Sequence, residues 1–189
     1  MGMTNAAERL RRGGIGGVMA QATDIGVAIL IGLAASLQVA LLGALGRGRG
    51  PSEGVWIALL GTVTGFAILS GLRALRSGPA LAAPFDRVGV LALVALATGG
   101  LLALALRGSA PGFAATGLLA LPFLFGASVL GPRLGIGLYL GAVIAGQLVG
   151  GVVLDHIGAF GAEARHVDAM RIAGVAALLV GVGLIRGAR

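Results

Sequence analysis

The sequence predicts an all-α integral membrane protein, a bundle of about six transmembrane helices, and three observations carry that prediction. Of its 189 residues 57% are apolar and 11% are charged, against about 45–50% and about 25% in a soluble domain. The mean hydropathy is +1.01. Six apolar runs approach the roughly 20 residues that a helix needs to cross about 30 Å of hydrocarbon. The connections between them are short, so no second domain is marked.

In chain order, residues 1–20 form a polar, Arg-rich tail with a short helical start, placed in the cytosol, and residues 21–189 form the transmembrane domain. Arg11-Arg12 ahead of an apolar run could suggest a secretory or twin-arginine signal. Gln21, Thr23 and Asp24 intervene, and no small-residue cleavage site follows. The predicted helices run over about 25–45, 55–72, 88–106, 112–130, 134–154 and 172–185. The second and sixth are short enough to recruit flanking residues, and Arg171 and Arg186 border the last, able to snorkel to the interfaces. Pro122 interrupts the fourth helix. It removes a backbone donor and frees the carbonyl near Leu118, which gives a kink or hinge beside a substrate path, or a tolerated bend. Pro132 with Arg133 and Gly135 makes the turn into the fifth helix.

All 14 basic residues are Arg, and the net charge is +7. Scattered guanidiniums among apolar runs, with few aromatics for base stacking, exclude nucleic acid and point to anionic lipid as the basic face's partner. With the N-terminus inside, nine arginines fall on the cytosolic side and five outside, so both termini are placed in the cytosol.

Thirty-six glycines are many for helical segments. In a bilayer they let helix backbones approach closely. Gly61/Gly65, Gly137/Gly141 and Gly146/Gly150 form three GxxxG pairs, read as packing positions. Inside the predicted spans there is no clear Asp, Glu, Lys or Arg. Asp24 and Asp155 sit at helix ends. The deep polar groups include Gln38 and Gln147, near the middle of their spans, with Ser36, Thr62, Thr64, Thr98 and Ser128. An amide unpaired in hydrocarbon costs several kcal/mol, so each glutamine needs another helix, a water or a substrate. Trp56 reads as an interface anchor. Tyr139 reads as an anchor or as a residue at the cavity mouth.

There is no Cys, which excludes thiolate sites and cysteine nucleophiles. His156 and His166 are too few and too far apart in sequence to hold a metal alone. The segment Asp155 to Arg171 is rich in charge, yet no nucleophile accompanies it, and no phosphate-binding, zincin or hydrolase motif occurs. No catalytic residue, cofactor or metal is expected, and the protein is not read as an enzyme.

Pro132 to Gly135, Gly146-Gln147, Leu154-Asp155-His156-Ile157-Gly158 and Arg171-Ile172-Ala173-Gly174 together resemble the YdcZ family, a branch of the drug/metabolite transporter superfamily. Gln38 and Leu45-Gly46-Arg47 in the first helix add to the likeness. Leu42 stands where many members have Asn, and the run 88–106 looks like a helix additional to the usual five. The resemblance implies a multi-pass inner-membrane protein, built as an inverted repeat or a paired half-transporter, acting as a homodimer or as a heterodimer with a related half-transporter. It implies a secondary transporter or exporter of a small organic molecule, working by alternating access. Gln38, Gln147, Ser36 and Tyr139 are the candidate substrate-binding residues and Pro122 the candidate hinge. The alternative is a non-transporting membrane assembly subunit or scaffold.

Overall fold

The structure, a computed structural model, describes residues 15–187. Arg9, Arg11, Arg12 and Arg189, which entered the orientation count, lie outside the described residues. Among the described residues there is no strand. The helices are α1 (Ile15–Arg49), α2 (Pro51–Ser77), α3 (Val88–Ala105), α4 (Ala115–Leu118), α5 (Leu121–Leu134), α6 (Ile136–His156) and α7 (Ala169–Gly187), with 3-10 turns at Pro111–Ala114 and Ala159–Gly161. By length and composition, six helices can cross a membrane, the stretch Pro111–Leu134 counting as one.

Several boundaries differ from the hydropathy reading. At 35 residues, α1 is about 52 Å long, and it begins ten positions before the apolar run. Nothing between Ile15 and Asp24 interrupts a helix. The Thr23 hydroxyl bonds back to the Met19 carbonyl at 2.9 Å, and Asp24 reaches Arg133 at 3.9 Å. Pro51 opens α2 in the first turn, where its missing N–H is no loss. The fourth span is not one helix: it breaks at Leu119–Ala120, just where Pro122 cannot donate to the carbonyl of Leu118. Pro132 does not make the next turn either. It lies inside α5, and the reversal falls on Gly135, whose φ of 82° suits a residue without Cβ.

Membrane solvation inverts the usual burial pattern. Large apolar side chains such as Leu30, Leu96 and Leu184 face outward, while Ala28, Ala142 and Ala145 are buried. Small residues inside allow close backbone contact, and lipid takes the large ones. α1 packs against α6, α2 against α3 and α4, and α7 against α6.

The helix crossings repeat. A Cβ on Gly146 would strike Ile29 and Gly32, and one on Gly150 would strike Leu33 and Ser36. A Cβ on Gly61 would strike Ala114 and Gly117, and one on Gly65 would strike Leu118 and Leu121. Both contact sets climb in the same direction, so α1 runs parallel to α6 and α4–α5 runs parallel to α2. Gly32 and Gly117 are 85 positions apart, as are Gly61 and Gly146 and also Gly65 and Gly150. The same offset pairs Gly50 with Gly135, each of positive φ and each capping the second membrane span of its unit, α2 and α6. It also pairs buried Leu45 with Leu130 and Ile57 with Ala142, members of two apolar clusters. One cluster lies on the Ala28–Ile31 stretch of α1 and the other at its Leu45 end. The bundle is therefore two units, α1–α3 and α4–α7. Their helix directions are opposed, and their equivalent clusters occupy opposite ends: an inverted repeat.

Candidate functional site

Between the units lies a cavity of about 430 Å³. Its lining includes Ala35, Gln38 and Leu42 from α1, and Val55, Ala58, Leu59 and Thr62 from α2. Ala120 at the helix break, Phe123 and Leu124 of α5, and Gln147 of α6 complete the wall. The repeat offset maps Ala35 onto Ala120, Gln38 onto Phe123 and Thr62 onto Gln147, so the cavity straddles the relation between the two units. Leu42, Val55 and Ala58 extend it toward one end only. Val143, the equivalent of Ala58, is buried in the apolar cluster at the other end.

The polar groups in this wall are few. No Asp, Glu, Arg or His is among its lining residues. The Thr62 hydroxyl lies 2.8 Å from the Ala58 carbonyl and 2.9 Å from the Gly117 carbonyl. It spends its one proton on these and keeps acceptor capacity on its oxygen. Neither Gln38 nor Gln147 has a side-chain hydrogen bond to any described residue. The register Gly32:Gly146 sets Gln147 level with Leu33. Gln38 is five positions further on, so the two residues' backbones are offset by about 7.5 Å along the axis. No hydrogen bond joins them, and both line the same space.

Four residues were expected to line the site, and the structure brings two of them together there. Gln38 and Gln147 share the cavity wall. Ser36 does not reach it: the side chain is 7% exposed, bonds the Leu33 carbonyl at 2.7 Å and packs against Gly150. Tyr139 is neither an interface anchor nor a mouth residue. It is 2% exposed and donates its hydroxyl to the Phe123 carbonyl at 3.1 Å. Its ring stands 6.3 Å from that of Phe123, in a notch opened by Gly126. It therefore braces the cavity wall from behind. Pro122 lies beside the lining residues Ala120 and Phe123. Of the GxxxG positions, Gly61, Gly65, Gly146 and Gly150 meet other helices closely and Gly141 meets Val182. Gly137 faces open space, because it falls in the first turn of α6, ahead of the crossing with α1.

Sequence reasoning missed Thr62 and Phe123 as lining residues. Thr62 carried a signal, since it directly follows Gly61 as Gln147 follows Gly146. Phe123 carried one too, as the neighbour of the interrupting proline.

The charged end groups are engaged elsewhere. Arg49 donates to the carbonyls of Ala105 and of Arg107, the latter at 3.1 Å, and pairs with Glu53 at 3.1 Å. It thus ties the end of α3 to the hairpin between α1 and α2. Arg47 holds the Phe160 carbonyl at 3.0 Å. Arg171 reaches Asp155 at 3.7 Å. His156 and His166, distant in sequence, meet edge to face at 5.4 Å, and His156 Nδ1 accepts the Val167 N–H at 3.2 Å. No group of three or more metal-ligating side chains gathers among the described residues.

Six membrane-length helices, arranged as two inverted units with an uncharged cavity between them, define a polytopic membrane protein. Residues 24–184 match the family described as "Putative inner membrane exporter, YdcZ", and the chain belongs to that family. The family's name supports a transporter of the inner membrane rather than an enzyme. No curated protein and no solved structure matches the chain.

Proposed function

We propose that the chain carries a small organic molecule across the membrane by alternating access, with Gln38 and Gln147 as its binding groups. The observation that supports this most is the cavity itself. It lies between two inverted units and holds two amides that no protein group satisfies. In hydrocarbon such amides are retained at a cost of several kcal/mol unless something polar visits them. Inverted units supply a second conformation at no extra design: exchanging their roles moves the opening from the Ala58 end to the Val143 end. The break at Leu119–Ala120 and the missing bond at Pro122 make α4–α5 the element that flexes. In this reading one chain holds a complete pathway. Pairing with a second copy or a related chain then joins pathways instead of halves.

Cysteine labelling tests the proposal without knowledge of the substrate, on a chain that has no native Cys. Ala58→Cys and Val143→Cys are made singly in proteoliposomes of fixed orientation. Position 58 is expected to react with an impermeant maleimide from one side and position 143 from the other. Reaction of both from the same side only, or complete protection of position 143, refutes alternating access.

A further inference from the structure

Resting on that reading, we infer that the guest is an uncharged, flat, amphipathic molecule whose polar edge both donates and accepts hydrogen bonds, as an amide or lactam does. Three features of the cavity lead there. First, its lining has no ionisable side chain. An ion entering it gives up its hydration and finds no opposite charge to replace it, which disfavours cations and anions alike. At the Leu42–Val55 end Arg49 and Glu53 are bonded to each other at 3.1 Å, and Arg47 is turned to the Phe160 carbonyl at 3.0 Å. Second, each unpartnered carboxamide presents an acceptor oxygen and a donor NH₂. A guest that only donates or only accepts leaves half of each amide unsatisfied, so a guest with both is preferred. Third, the repeat equivalent of Gln38 is Phe123, so an amide and an aromatic ring occupy matching positions in the two units. The ring is held by Tyr139 behind it, 6.3 Å between centroids, which gives a flat guest a fixed surface.

The site therefore sorts by charge before it sorts by shape. This differs from an intramembrane carboxylate, which would recruit cations and carry a proton.

Benzamide, benzoate and benzamidinium are nearly the same size and differ in charge, which makes them suitable probes. Binding is measured by saturation-transfer NMR and by thermal shift on the full-length protein in nanodiscs of zwitterionic lipid. Benzamide is expected to bind at least about tenfold more tightly than either ion. Gln147→Leu and Gln38→Leu should each abolish benzamide binding with the thermal transition retained. Gln147→Glu should reverse the order in favour of benzamidinium, which a carboxylate grips with two parallel bonds. The inference is overturned if an ion binds the unmodified protein as tightly as benzamide, if benzamide ignores both leucine substitutions, or if none of the three probes binds. The transport reading stands or falls separately, on the two-sided labelling at positions 58 and 143.

Discussion

Gly146→Ala should part α1 from α6, and Gly137→Ala, in the same helix, should not. The methyl added at position 146 meets backbone on every side: the Ile29 carbonyl oxygen directly, the Ile29 carbonyl carbon at 2.9 Å and Gly32 Cα at 3.1 Å. Ordinary contact for such a carbon begins near 3.4 Å. No flexible side chain is there to swing aside, so the helices must separate. Overpacking of this kind costs about 1–3 kcal/mol. That is about 2–12 °C in Tm for a chain of this size, at about 2–4 °C per kcal/mol. At position 137 nothing lies within 4 Å. There the exchange removes backbone freedom from the unfolded chain and stabilises by up to about 1 kcal/mol. Thermal unfolding of both variants in one detergent, read by helical circular dichroism, separates the cases. Equal melting temperatures for the two variants, or loss at 137 with none at 146, would show that the crossing at Gly32 and Gly146 does not hold the bundle together.

Three more outcomes follow from the same contacts. Gln147→Leu should raise the melting temperature, by the equivalent of about 1–3 kcal/mol, because it removes an amide with no protein partner; a lowered Tm would mean that the amide is bonded within the bundle. Arg49→Lys should lose the fork that spans the Ala105 and Arg107 carbonyls, at a cost of about 1 kcal/mol; faster labelling of a cysteine at Ser109 reads the loosening, and unchanged labelling argues against it. Pro122→Ala should restore a continuous helix across Leu119–Ala120 and slow the exchange between the two access states, seen as slower labelling at one of positions 58 and 143 and unchanged benzamide affinity; an unaltered labelling rate at both would remove the hinge.

What the sequence could yield depended on how local each signal was. Hydropathy located the spans because the bilayer acts on every residue of a span alike. It misjudged the ends, since a helix such as α1 continues into water wherever nothing breaks it. The glutamines were legible as polar groups at mid-span. That both open into one cavity depends on the α1–α6 register, which no local pattern carries. Tyr139 misled because a lone aromatic near a helix start ordinarily marks an interface, whereas its notch is cut by Gly126, thirteen positions earlier. The inverted repeat was implied by the family resemblance and could not be read from the residues themselves, because the positions that match are mostly glycine and alanine, common enough here to match by chance. Only their contacts single them out. His156 and His166 met because the intervening turn has positive φ at Gly158, Phe160 and Gly161, and a reversal of that kind cannot be seen in spacing.

The two units match in outline and not in chemistry, and Tyr139 shows this most plainly. Its equivalent is Gly54. A buried phenol with a bonded hydroxyl thus occupies one end of the bundle, and bare backbone occupies the other. If the proposed cycle exchanges the two ends fully, turning one way unseats that ring, and turning back has no counterpart to unseat. On the proposed alternating-access cycle the energy landscape is tilted, and the empty protein is expected to rest facing one way. A tilt of about 1.4 kcal/mol already gives ten molecules in one state for each in the other. A guest that evens the two states would do so by what it gains from Gln38 and Gln147 once the ring has moved. Filling position 54 with a larger side chain should level the landscape from the opposite side.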